Sequence, residues 1–178
     1  MSGRHEFTDH EIRGALREGR HVDSSRQETI GAPMKADADP QMYEVALEGG
    51  ILRRGFWLYV WEVTAPDGQK MLYVGRTGDS SSAKASSPFK RMGQHLGFIE
   101  ASNMLRTHLG KRDTTPEDCC FQFVAYGPIL AEATDWAAHV LRRNIVGGLE
   151  QKLEQELRRA GWDVMNRVTG SFELDEQL

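Results

Sequence analysis

Apolar and polar positions are most sharply patterned in the middle of the chain. FWLYVWEV at 56–63 and MLYV at 71–74 are rich in β-branched and aromatic residues, and the Pro66-Asp67-Gly68 turn between them predicts a hairpin. Each run carries a tyrosine near its centre, Tyr59 and Tyr73. Cys119 to Ala125 predicts a third strand, closed by Gly127-Pro128. Helical periods fill the rest. Ser87-Pro88 starts a helix whose apolar stripe is Phe89, Met92 and Leu96, and a stretch over about 99–111 carries Ile99, Leu105 and Leu109. From Ala131 to Ala160, Ala133, Trp136, Ala137, Val140 and Leu141, then Val146, Leu149, Leu153 and Leu157, recur at helical spacing. Gly147-Gly148 lies inside this region; at about 1 kcal/mol per glycine it predicts a kink, a break or a close backbone contact. Gly161 suits the helix end, and WDVMNRVT beyond it reads as short and extended.

Ahead of the hairpin the pattern is weaker. Thr8 or Asp9 is placed to cap a short helix to about Glu18, and 19–40 is polar, aperiodic and broken by two prolines. Asp39-Pro40 predicts another helix, with Met42, Val45, Ala46 and Leu47 on its apolar side and Gly49-Gly50 at its end. The expected organisation is an accessory segment over 1–50 and a domain over 51–178.

Composition bounds the class. The chain has 178 residues, 39% hydrophobic and 27% charged, which suits a globular protein with one real core. No window approaches the roughly 18 apolar residues of a membrane span, and the first residues carry no apolar signal core. No membrane partner and a cytoplasmic location are therefore expected. The two cysteines, Cys119 and Cys120, are adjacent and unsuited to a mutual bridge, and no Cys/His set has zinc spacing. The net charge of −4 is unevenly placed: residues 1–50 hold six Lys/Arg against ten Asp/Glu, whereas 53–112 hold ten against four. A local basic surface is what a phosphate backbone needs, with Arg76, Lys84, Lys90, Arg106 and Lys111 as candidate nucleic-acid contacts.

Several residues stand out chemically. Arg91 and His95 are at i and i+4 and share a helix face. Arg is a bidentate phosphate clamp, and His can hold a phosphate or move a proton. Glu150 has Val146, Leu149, Leu153 and Leu157 around it, so it sits within the apolar stripe and needs a partner, for which a divalent cation is one choice. Glu154 lies toward the edge of that face with Arg158 available to it, and Asn166 follows the helix. Each has an ordinary reading too: strand tyrosines are usually core, and helix Arg, His and Glu are usually solvated or ion-paired.

In this order the parts resemble the GIY-YIG nuclease superfamily over roughly residues 56–168. Leu58-Tyr59-Val60 matches the first motif and Tyr73-Val74-Gly75 the second; Arg91 matches the helix arginine, Glu150 (alternatively Glu154) the acid, and Asn166 the terminal asparagine. Trp57 stands where the first motif usually has glycine. The resemblance implies an α/β (α+β) fold, a small three-stranded antiparallel sheet flanked by helices with the site on the sheet's face. It implies a metal-dependent DNA endonuclease hydrolysing phosphodiester bonds with Mg2+ (or Mn2+). Glu150, or Glu154, would hold the cation, Tyr59 would orient or activate water, Tyr73 would support the nucleophile, and Arg91 would neutralise phosphoryl charge. His95 matches a histidine that some restriction enzymes of the superfamily carry one turn after the arginine. A type II restriction enzyme acting as a homodimer is one expectation; a repair, phage or mobile-element nuclease is the alternative. A non-catalytic nucleic-acid-binding module of the same fold is another, as is an interaction protein whose tyrosines are only core.

Overall fold

The computed structural model describes residues 42–79 and 84–170. Within them the chain forms a 3-10 turn Gly49–Leu52, strands β1 (Phe56–Thr64) and β2 (Lys70–Arg76), helices α1 (Pro88–Leu96) and α2 (Met104–Gly110), a 3-10 turn Pro116–Asp118, strand β3 (Cys120–Leu130) and helix α3 (Trp136–Arg159). The fold is mixed α/β: a three-stranded antiparallel sheet in the order β2-β1-β3, with helices packed on it. Most of the expected 1–50 segment, including the helix from Thr8 or Asp9, lies outside the described residues. Residues 42–48, expected to continue a helix, are not helical, and Met42, Tyr43 and Val45 are exposed. A short amphipathic helix gains most of its stability from a surface that buries its apolar side, and these three side chains keep most of their area exposed.

The hairpin forms for the expected reason. Gly68 takes φ +85, its N–H donates to Ala65 O at 2.9 Å, and Asp67 Oδ1 accepts from Gln69 N at 2.9 Å. Strand β3 outruns its expected end. Gly127 (φ +145) and Pro128 fall in an irregularity between the pairs Leu58↔Tyr126 and Phe56↔Leu130, so the strand bulges around them and pairs again. Helix α2 begins only at Met104. Leu105 and Leu109 are fully buried as expected, while Ile99 precedes the helix and is exposed.

Successive strand residues point to opposite faces, which divides the core in two. Tyr59, Trp61, Val63, Met71 and Tyr73 pack on one face with Leu105 and Leu109 of α2 and, partly buried, Met92 and Leu96 of α1. Phe56 and Leu58 pack on the other with Val146, Leu149 and Leu153 of α3. Asp135 caps α3, its side chain accepting from Ala138 N at 2.9 Å, so the helix starts at Trp136 and not at Ala131. The helix is unbroken at Gly147-Gly148, and both glycines are buried. The first turns do not follow the expected stripe: Trp136, Ala137 and Leu141 are exposed and His139 is fully buried.

The outer edge of β2 is closed by the segment after α3. Leu72 N donates to Asp163 O at 2.8 Å, and Met165 N donates to Leu72 O at 2.7 Å. Asn166 completes the closure: Oδ1 accepts from Val74 N at 3.0 Å and Nδ2 donates to Val74 O at 2.8 Å. The expected catalytic Asn166 is thus a buried side chain standing in for a strand residue. Asn166→Ala leaves both main-chain groups of Val74 without these partners and is expected to destabilise the protein by about 2 kcal/mol. Hydrogen exchange at the Val74 amide should accelerate in step; unchanged protection would contradict this role.

Candidate active site

The antiparallel register sets Tyr59 opposite Gly75 and Tyr73 opposite Trp61, so both phenols project from one face of the sheet. Gly75 is the residue that lets Tyr59 lie as it does. A Cβ added there would stand 2.5 Å from Tyr59 Cζ and Oη. Trp57, in the position where the resembling motif has glycine, is buried with its indole against Gly127, where an added Cβ would lie 2.9 Å from Cδ2.

Helix α1 lays His95 across both tyrosines. Its ring centroid is 5.6 Å from that of Tyr59 and 5.0 Å from that of Tyr73, and Nε2 shares a 2.6 Å hydrogen bond with Tyr59 Oη. The buried side of α1 corrects the expected stripe: Pro88, Met92, His95 and Leu96 recur at helical spacing, His95 is 4% exposed, and Phe89 is exposed. Burial and then the charge of Arg91 lower the His95 pKa to about 4, so the ring is neutral at pH 7. Its Nδ1 has no hydrogen-bond partner among the described residues.

Charged groups converge on the same place. Arg91 pairs with Asp79 and donates to Gln94 Oε1 at 3.1 Å, while its buried Nε has no partner among the described residues. Arg76, the residue after Gly75, lies 3.4 Å from Glu150 Oε2 through Nε, with both side chains 12% exposed. Burial pushes the Glu150 carboxyl up to about 7 against the opposing pull of Arg76 and Arg91. Burial raises Tyr73 to about 12, with Glu150 adding to the shift and Arg91 opposing it. Burial raises Tyr59 further, against Arg91, with Tyr73 and Glu150 adding to the shift. Burial lowers Arg76, with Glu150 opposing. Tyr59, Tyr73, Arg76, Arg91, His95 and Glu150 therefore act within one electrostatic neighbourhood. Both phenols are protonated at neutral pH.

Glu154 and Asn166 are not part of this group. Glu154 is buried in an ion pair with Arg158, and Arg158 Nη2 also donates to Asn166 O at 2.8 Å. This pair ties the last turns of α3 to the β2 edge, whereas Glu150 is the glutamate that lies against Arg76. The expected nucleic-acid contacts divide. Arg76 is inside the site; Arg106 is engaged by Glu117 at 2.6 Å, by Leu96 O at 3.2 Å and over the Phe98 ring; Lys84, Lys90 and Lys111 are exposed. Sequence reasoning missed Asp79 altogether. Its one signal was an acid in an otherwise basic stretch. A cleft of about 320 Å3 beside the β1–β2 turn, lined by Pro66, Asp67, Arg112 and Asp118 among others, shares no residue with this cluster.

The donor set bears on which cation fits. Among the described residues no group of three or more His, Cys, Asp or Glu converges, and Glu150 stands as a single desolvated carboxylate. That suits Mg2+ or Mn2+, held mainly by water and substrate oxygens, better than zinc.

No family model matches the chain, and neither a curated protein nor a solved structure matches it. Among the described residues no helix is long and apolar enough to cross a membrane.

Asp79 occupies the Arg91 guanidinium, the group expected to bind a phosphate. Asp79→Asn should therefore strengthen binding of a labelled duplex in EDTA about threefold to tenfold at low salt, the size of a partly exposed ion pair. Asp67→Asn, which removes an acid at the distant turn, serves as control. Equal gains in the two variants would mean that net charge, not release of Arg91, is responsible.

Proposed function

We propose that the protein is a GIY-YIG-like endonuclease that hydrolyses phosphodiester bonds in DNA. The observation that carries this reading is the meeting of Tyr59, Tyr73, Arg91, His95 and Glu150, from two strands and two helices, at one place. Two phenols, a guanidinium and a neutral imidazole beside a single carboxylate are the groups needed to orient water and hold a pentavalent phosphate.

Arg91 binds a non-bridging phosphate oxygen once Asp79 gives way, and its buried Nε supplies a further donor. Arg76 adds a second positive charge beside Glu150. Tyr73 and Tyr59 position the attacking water. As the water oxygen bonds to phosphorus, its proton passes to Tyr59 Oη and the phenolic proton passes to His95 Nε2 across the 2.6 Å contact. The bond from phosphorus to the leaving sugar oxygen breaks, and that oxygen takes a proton from solvent. A phosphate anion in the site raises the basicity of His95, which burial and then the charge of Arg91 hold low in its absence. A divalent cation held by Glu150 would supply Lewis-acid stabilisation of the phosphoryl oxygens.

Plasmid, branched and single-stranded DNA incubated with Mg2+ or Mn2+ test the reading. Wild type should nick or cut at least one of them and Arg91→Ala should not. Absence of cleavage on all substrates, with the protein folded, would reject it.

A further inference from the structure

Helix α3 carries more than the acid. Trp136, Arg143 and Glu150 are spaced seven residues apart and so lie along one line of the helix, two turns between each. Along that line exposure rises away from the site: Glu150 is 9% exposed, Arg143 is half-buried and Trp136 is 47% exposed. Trp136 is held from beneath. Its ring stacks on His139 at 5.4 Å between centroids and 12° between planes, and His139, fully buried, packs in turn on Phe56 at 5.2 Å. The Arg143 guanidinium lies 5.9 Å from the centroid of the Trp136 ring. Arg143 is also tied to the site, since its carbonyl accepts from Arg76 Nη1 at 3.3 Å.

An indole backed by His139 and still 47% exposed, with an arginine over its ring, offers a stacking surface for a nucleobase and a cation for the adjoining phosphate. The face of a base inside a duplex is covered by its neighbours, so only an unpaired base or a strand end can use such a platform. At 1.5 Å per residue the helix spans about 20 Å from Glu150 to Trp136, about six nucleotides of a stacked strand and fewer when unstacked. We propose that the Trp136–Arg143 surface binds an unpaired stretch of the DNA strand flanking the scissile phosphate, so that the substrate class is DNA carrying a single-stranded segment rather than uninterrupted duplex. The assignment of cleavage to this strand rests on the nuclease reading; the platform's binding does not.

Fluorescence anisotropy in EDTA separates the two. The probes are a labelled duplex with a single-stranded flap and the matching continuous duplex. Wild type should bind the flap substrate more tightly. Trp136→Ala should weaken flap binding roughly tenfold and leave continuous duplex within twofold, with Trp136→Phe retaining most of the flap preference. Arg143→Gln should weaken flap binding severalfold and reduce its salt dependence. Circular dichroism and melting curves verify folding of each variant. No flap preference in wild type, or equal losses on both substrates in Trp136→Ala, would overturn the platform; so would a Trp136 surface that captures only protein. Flap-selective binding without cleavage in Mg2+ would keep the platform and reject the nuclease.

Discussion

Glu150→Gln is expected to abolish DNA cleavage and, at pH 8 without metal, to raise the melting temperature. Loss of the buried Glu150 carboxylate removes the group that would hold the cation, worth several kcal/mol at the transition state, so the rate should fall roughly a thousandfold. Stability moves the other way because glutamine mimics the protonated acid. The native pKa of Glu150 is raised from 4.5 to about 7, so between these values the native state binds more protons than the unfolded chain. Stability therefore falls as pH rises through that window, and the penalty is complete above about 7. It amounts to about 3 kcal/mol, which the glutamine variant lacks. His95 has the opposite slope. Its native pKa is depressed from 6.5 to about 4, so the unfolded chain binds more protons there and stability falls as pH falls. The two slopes oppose each other over their shared range in wild type. Melting curves against pH in EDTA should show Glu150→Gln losing stability below about 6.5 and His95→Gln gaining it as pH falls from about 7. A Glu150→Gln protein that melts below wild type at pH 8 would contradict burial as the cause. Glu154→Gln is the companion: cleavage within a few fold of wild type, with about 1–3 kcal/mol of stability lost with the Arg158 pair.

Gly75→Ala should be the most damaging change of a single methyl group. The added Cβ meets Tyr59 Cζ and Oη at 2.5 Å, and the ring cannot retreat easily, because Tyr59 is 2% exposed and lies against Phe123 and His95. Overpacking of this kind costs about 1–3 kcal/mol. It also pushes Oη off His95 Nε2, and misplacing a proton-handling group by about 1 Å costs about a hundredfold in rate. Gly93→Ala makes the contrast. Nothing lies within 4 Å of its Cβ position and it sits in α1, so alanine should stabilise by about 1 kcal/mol and leave cleavage intact. Urea titrations and plasmid nicking on the pair measure both effects. A Gly75→Ala protein that nicks DNA at the wild-type rate would show that Tyr59 needs no fixed position.

The expected residues differ in kind. Tyr59, Tyr73, Arg91 and His95 follow the order of the resembling motifs, and the fold brings them into one neighbourhood with Glu150. Asn166, at the terminal position of that order, bonds to the main chain of Val74. Asp79 and Arg76 were legible only as charges; their pairing with Arg91 and Glu150 makes them part of the site.

What the sequence by itself determined was local. Alternating aromatic and β-branched residues around Pro66-Asp67-Gly68 specify the β1–β2 hairpin, and its register places two tyrosines on one face. Ser87-Pro88 specifies the start of α1, and Gly161 the end of α3. Those features depend on backbone preferences within a few residues. Which glutamate pairs with Arg158 and which lies against Arg76, the burial of His95 where Phe89 was expected, and the closing of the β2 edge by Asn166 were decided by tertiary structure. Each depends on which helix face meets the sheet and on the charges already buried there: Arg158 takes Glu154, Arg76 lies against Glu150, and Val74 takes Asn166 from 92 residues away. Spacing along a helix limits such pairings, but only packing selects among them.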